Sequence, residues 1–236
     1  MEELSTKKYA RNLSLLSLGV ILAILIADQC LKFWIKTNMS LGQNIPVAGD
    51  WFILHFTENN GMAFGIELNG KWGKLFLTFF RLIAVTGIIY YLRHQIKHAA
   101  KPITIILISL ILAGAMGNIF DSVFYGKWFT ESKKFIVAEW ANGNGYAGYF
   151  RGKVVDMFYF PVIKGHYPSW FPFVGGKYMV FFRPVFNIAD TAISSGVFAI
   201  LLFKRDLFQF KTEDKEGELP ENQTEGADVA TSDPES

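Results

Sequence analysis

The chain of 236 residues contains a single cysteine, Cys30, so no internal disulfide can form and a multi-cysteine zinc site is excluded. Histidine is scarce as well, with four in all. Of these, His94 and His98 have the spacing of metal ligands on a helix, but they stand in a basic stretch where plain solvation accounts for them. Charged residues make up only 19% of the chain, against roughly a quarter in an ordinary soluble domain. What fills the space is apolar: 51% of residues are hydrophobic and 16% aromatic. This composition excludes a disordered chain and a nucleic-acid binder driven by bulk charge. The net charge of +2 conceals an asymmetry, because residues 211–236 hold nine acids and two bases while the rest of the chain carries +9.

The apolar residues fall into four blocks: Asn12–Trp34, Leu75–Leu92 with Arg81 inside it, Pro102–Phe120 with no charge, and Pro184–Phe203 with Asp190. About 20 residues cross a bilayer core, so each block is a candidate span. The first is read as an uncleaved span, since Asp28 and Lys32 stand where a signal-peptide cleavage site would need small residues. Basic residues gather at the N-terminus (Lys7, Lys8, Arg11), between the second and third blocks (Arg93, Lys97, Lys101) and after the fourth (Lys204, Arg205). The positive-inside rule therefore places both termini in the cytoplasm. Residues 35–71 and 121–183 then lie outside, and the β-prone runs Asp50–Phe56 and Lys153–Phe160 predict a small sheet there. The expected fold is a mainly α membrane protein, a four-transmembrane-helix bundle over residues 12–205 with a small extracytoplasmic β-rich domain. Residues 1–11 form its cytoplasmic N-terminus and residues 206–236 an acidic, cytoplasmic, disordered tail.

In this topology Asp28 and Asp121 lie at the outer ends of the first and third spans. Asp190, seven residues from the start of the fourth block, falls roughly 10 Å below the outer surface. Asp156 precedes that block on the outer segment. Four carboxylates so gather near one face of the bilayer, where charge is costly and turns toward a bundle interior or a watery cavity. Asp28 and Lys32 are one helical turn apart, and an ion pair accounts for both. Asp121 suits a helix end. Asp190 has no adjacent cation in its span; Arg81 of the second span could partner it or snorkel outward. Ser194 and Ser195 read as bonded to the preceding turn's carbonyls.

Four stretches, met in order and each at the fitting end of its span, carry a resemblance. They are Asp28-Gln29-Cys30-Leu31-Lys32; Glu58-Asn59-Asn60-Gly61-Met62-Ala63-Phe64-Gly65; Gly117-Asn118-Ile119-Phe120-Asp121 with Val154-Val155-Asp156; and Phe186-Asn187-Ile188-Ala189-Asp190. Together they resemble the lipoprotein signal peptidases (signal peptidase II), aspartyl endopeptidases of the bacterial inner membrane. The resemblance implies removal of signal peptides from prolipoproteins immediately before a diacylglyceryl-modified cysteine, without metal or cofactor, and binding of a globomycin-type inhibitor. It implies contact with membrane lipid and none with nucleic acid. Carried over by motif, the catalytic pair is Asp156 and Asp190, with Asn59, Asn118, Asp121, Asn187, Asp28 and Lys32 in support. A proton- or ion-coupled transporter using Asp28, Asp121 and Asp190, or a non-enzymatic membrane assembly factor, are the competing readings.

Two departures stand out. Ser122 occupies a place where the family usually has arginine, and Lys127–Arg151 is inserted before the Val-Val-Asp stretch. Gly126 and Gly152 suit a closed loop whose flanks meet. Arg151 is the expected substitute for the missing arginine. The insertion, with Lys133, Lys134, Trp128, Phe135 and Trp140, reads either as a lid riding on lipid or as a solvated ornament.

Overall fold

A computed structural model describes residues 2–59, 71–173, 175–181 and 183–207. The Asn60–Gly65 part of the second motif and the acidic tail from residue 208 lie outside the described residues. Helix α1 (Glu2–Asn38) is continuous over 37 residues. It begins about ten residues before the apolar block, because Glu2–Arg11 is itself rich in good helix formers. The expected separate N-terminal segment is therefore the first turns of α1. Helix α2 (Lys71–Lys97) follows, and α3 (Pro102–Phe120) starts with proline at its first turn, where a missing N–H costs nothing.

Asp121 does not end α3. The helix runs on through a π-helical stretch, Asp121–Tyr125, into a last turn, α4 (Gly126–Trp128). By length and composition α1, α2 and the continuous Pro102–Trp128 helix can cross a membrane; helix α5 (Ile188–Leu207) carries a shorter apolar run, Ile188–Phe203. The expected fourth span thus begins later than Pro184, and for a physical reason. Val185 and Phe186 are drawn into a sheet as a short strand, and the helix start is capped from two sides. Asn187 Oδ1 accepts from the Asp190 N–H at 2.9 Å, and Asp28 Oδ1 of α1 accepts from the Ala189 N–H at 2.9 Å. Asp190 is consequently in the first turn of α5.

The sheet is antiparallel, in the order β1 (Asn44–Ala48), β2 (Phe52–Asn59), β3 (Val154–Tyr159) and β6 (Val185–Phe186); β4 (Ile163–His166) and β5 (Tyr178–Phe181) form a separate hairpin. Thr57 pairs with Asp156 and Glu58 with Val155. Val155 and Met157 enter a core with Phe56, Ile35, Met39, Tyr125 and Phe129. Asp156, between them, faces the other way by the alternation of a strand.

Small residues set how closely the helices approach. A Cβ on Gly114 would lie 2.2 Å from Ala189 O and 2.7 Å from Ile193 Cγ1, and one on Gly117 would lie 2.8 Å from Asp28 Oδ2. These glycines let α3 press against α5 and the end of α1. The insertion closes on itself as its flanking glycines suggest. Gly152 N–H donates to Ser122 O at 2.8 Å, Ala147 N–H to Gly126 O at 2.8 Å and Phe150 N–H to Val123 O at 3.1 Å. A Cβ on Gly152 would stand 2.0 Å from Asp121 O.

Gly114→Ala is expected to destabilise the fold by about 1–3 kcal/mol through overpacking, because the neighbour that must give way is backbone. The check is the thermal midpoint in detergent against Gly19→Ala, where nothing lies within 4 Å of the added methyl and no loss is expected.

Candidate active site

The site grows outward from one buried ammonium. Lys32, on the last third of α1, is fully buried. Its Nζ lies 2.9 Å from Asp28 Oδ2 and 2.8 Å from Asp121 Oδ2, and donates to Asn118 Oδ1 at 3.0 Å. Three donors meet three acceptors, so the cation is fully satisfied. The two acids are held further. Gln29 Nε2 donates to Asp121 Oδ1 at 2.9 Å and Asp28 Oδ2 at 3.1 Å, while Tyr125 OH donates to Gln29 Oε1 at 3.0 Å. Asp121 Oδ2 also accepts from the Val155 N–H at 3.3 Å, which links the π-helical stretch to β3. A π-bulge widens the turn at a point where one side chain must be re-aimed, and here that residue is Asp121.

Two asparagines connect this cluster to the second pair of acids. Asn118 accepts from Lys32 and donates through Nδ2 to Asp190 Oδ1 at 2.8 Å. Asn187 Nδ2 donates to Asp156 Oδ1 at 2.7 Å and lies 3.2 Å from both Asn118 Oδ1 and Val155 O. Asn187 Oδ1 accepts from the backbone N–H of Asp190. One asparagine therefore holds one acid by its side chain and the other by its backbone. Asp156 is buried, and burial pushes its carboxyl up to about 7; the nearest charge acting in the same direction is Asp190. Lys32 and the Asn187 hydrogen bond pull the other way but do not offset this. A carboxyl group near neutrality beside a second one is equipped to donate a proton while its neighbour accepts one.

The structure thus brings together Asp28, Lys32, Asn118, Asp121, Asp156, Asn187 and Asp190. Asn59 ends β2, opposite Val154, at the edge of this group. Arg81 lies within α2. Arg151 does not join them. It is exposed, and the cation on Asp121 is Lys32, already close by on α1. Among the described residues no three His, Cys, Asp or Glu side chains are grouped as a metal site. Gln29 and Tyr125 escaped sequence reasoning, although Gln29 stands inside the Asp-Gln-x-x-Lys stretch. A second buried cluster was missed altogether. Lys36 pairs with Glu58 and donates to Ser132 Oγ at 2.8 Å, and Lys153 Nζ lies 3.3 Å from Glu58 Oε2. Its visible signal was lysine one turn beyond Lys32 on the same helix face.

Lys32→Met is expected to cost about 3–5 kcal/mol, since it leaves two buried carboxylates without their cation. Denaturation of the purified protein in detergent measures this, and a loss under about 1 kcal/mol would show that the acids do not depend on Lys32.

The chain is similar to known proteins over most of its length. The family model described as Signal peptidase (SPase) II matches residues 20–204. A lipoprotein signal peptidase of Porphyromonas gingivalis is 45% identical over 211 residues, covering 89% of this chain and 91% of that protein. One from Amoebophilus asiaticus is 39% identical over 194 residues, covering 81% and 78%. A solved bacterial membrane enzyme superposes with a TM-score of 0.53 at 25% identity, over 86% of this chain and 94% of that one. With the family model spanning most of the chain and these relatives matching it nearly end to end, the chain belongs to the signal peptidase II family.

Proposed function

We propose that this membrane peptidase cuts the signal peptides of prolipoproteins by an aspartyl mechanism carried by Asp156 and Asp190, immediately before the diacylglyceryl-modified cysteine. The observation that carries the reading is the Asn187 bridge between the two acids, together with the rise of Asp156 to about 7. Two carboxyls so close cannot both ionise cheaply and share one proton. Asp156, buried and raised, is the member that keeps it. Asp190 then takes a proton from the attacking water while Asp156 polarises the scissile carbonyl by donating to its oxygen. Water oxygen bonds to the carbonyl carbon, the tetrahedral diol collapses, and the C–N bond breaks as the amine leaves with a proton from the pair. No covalent acyl-enzyme forms. Asn118 and Asn187 hold the two acids in register, and Lys32, itself fixed by Asp28 and Asp121, holds Asn118.

The position of the acids suits the substrate. The four helices α1, α2, α3 and α5 form the membrane bundle in this reading, with the sheet outside it. The basic N-terminal turns and the α2–α3 connection share one end, where Tyr9 OH lies 3.5 Å from Ala100 O. That end is cytoplasmic by the positive-inside rule, which puts the acids at the outer leaflet of the inner membrane, where a diacylglyceryl anchor would hold the scissile bond. A globomycin-type inhibitor would bind at the same pair of acids. A proton relay through Asp28 and Asp121 fits less well, since both are tied to Lys32.

Asp156→Asn and Asp190→Asn should each lower turnover of a lipidated precursor by at least about 100-fold while the protein still folds and inserts. Near-normal turnover by either one would sink the two-acid mechanism. The pH dependence follows in sign. Because Asp156 must be protonated, kcat/KM should fall as pH rises through about 7. The Asn187 hydrogen bond favours the ionised form of Asp156, so Asn187→Ala should move this alkaline limb to higher pH. A limb that stays in place or moves down would contradict the assignment.

A further inference from the structure

The proposed reaction gives residues 127–151 no task, yet they are tightly built. Thr130 N–H donates to Glu139 O at 2.9 Å and Ala141 N–H to Trp128 O at 2.8 Å, which makes a narrow arm ending in a tight turn where Lys133 bridges Ile136. At that turn Phe135 has φ +67°, a left-handed conformation uncommon for an aromatic residue. The strained turn leaves Phe135 94% and Ile136 57% exposed. The arm is not free to swing. Val137 bridges Ser40, and the Leu41 N–H donates to Lys133 O at 3.2 Å, so the tip is fastened just past the end of α1.

That location fixes its level. The tip is held against Ser40 and Leu41, just past the last turn of α1, on which Trp34 is exposed, and the arm's own exposed Trp140 stacks on Phe33 of α1 with centroids 6.3 Å apart. Further down the same helix Leu15, Leu18, Leu22 and Ile26 are exposed, as a lipid-facing flank must be. Lys133 and Lys134, both exposed, bracket the apolar tip. Apolar side chains flanked by lysine and backed by tryptophan, continuous with a lipid-facing helix flank, match the physical profile of the headgroup region.

We propose that the Lys133–Val137 turn is an anchor in the headgroup region of the membrane that α1 crosses, its lysines meeting anionic lipid and Phe135 and Ile136 entering the acyl boundary. The inference rests on the membrane-spanning reading of α1 but not on which side of the membrane is outer. It makes the insertion a fixed strut and not a lid. The strut reaches the reaction through its other face. Ser132 Oγ accepts from Lys36 and donates to Glu58 Oε1 at 2.9 Å, while Tyr146 OH accepts from the Lys153 N–H at 2.7 Å. Glu58 and Lys153 lie on and just before the strands that present Asp156. Depth set at the lipid surface is thereby passed to the strand pair, which gives Phe135 and Ile136 a positioning role toward a lipid-anchored substrate.

The test uses the full chain in nanodiscs of phosphatidylethanolamine and phosphatidylglycerol, with Cys30→Ser as background. A nitroxide is attached at Phe135→Cys or, as a lipid reference, at Leu22→Cys. Oxygen accessibility at 135 should approach that at 22, with a water-soluble nickel complex excluded from both. Free nickel access at 135 with protection at 22 overturns the anchor. Free access at both overturns the spanning reading beneath it. The double variant Phe135→Ser, Ile136→Ser should raise KM for a lipidated precursor several-fold with kcat and the thermal midpoint little changed. An unchanged KM removes the positioning role.

Discussion

Everything near the candidate site depends on neutralising one ammonium group inside the protein. Removing a lysine side chain from water is expensive, and only close carboxylates with good geometry offset the cost. Lys32 obtains this from Asp28 one turn before it and from Asp121, where α3 passes into its π-helical stretch. The two acids then share a further requirement, since their remaining oxygens also need donors. Gln29, the Val155 N–H and the Ala189 N–H supply them. Satisfying one charge so fixes α1, α3, β3 and the start of α5 relative to one another. A bundle of apolar helices has little directional preference of its own, so a polar cluster of this kind is what gives it a unique arrangement.

The same network separates two kinds of carboxyl. Asp28 and Asp121 are locked to a cation and are structural. Asp156 and Asp190 are held by asparagines, which supply hydrogen bonds without supplying charge. An asparagine amide orients a carboxyl without placing a full charge against it. Under the proposed mechanism, the division between Lys32 and the Asn118–Asn187 pair is a division between scaffold and chemistry. Asn118 touches both sides, accepting from Lys32 and donating to Asp190.

Much of this was legible in the sequence, because it rests on periodicity and on identity at a few positions. The apolar blocks located the helices, Asp28 and Lys32 were one turn apart, and the four motifs placed the acids in order. Boundaries were less legible. Strand pairing of Val185 and Phe186 delays the start of α5, and such pairing has no local signature. The π-helical continuation past Asp121 was hidden for the same reason, since its cause is a contact with Lys32 nearly ninety residues away in sequence. The Lys36–Glu58–Lys153 cluster joins three separate segments, and only the spacing of Lys36 from Lys32 hints at it in the sequence.

Ser122 follows Asp121 in a tightly closed turn, and Arg151 is exposed away from it. Ser122 is buried, its hydroxyl donates to Asn118 O at 3.0 Å, and its carbonyl accepts from the Gly152 N–H. The backbone of the closed insertion covers this turn so closely that a Cβ on Gly152 would strike Asp121 O and lie 3.0 Å from Ser122 O. A long cation at 122 would have to pass through that lid of backbone. Positive charge is found instead on the core-facing side of the strand pair, as Lys36 and Lys153 around Glu58, with the Tyr146 ring 4.9 Å and 5.4 Å from the two ammonium groups. Tyr146 and Ser132 belong to the insertion, so the segment that closes over Ser122 also furnishes partners for Lys36 and Lys153. The small residue at 122 and the closed backbone of the insertion are sterically matched.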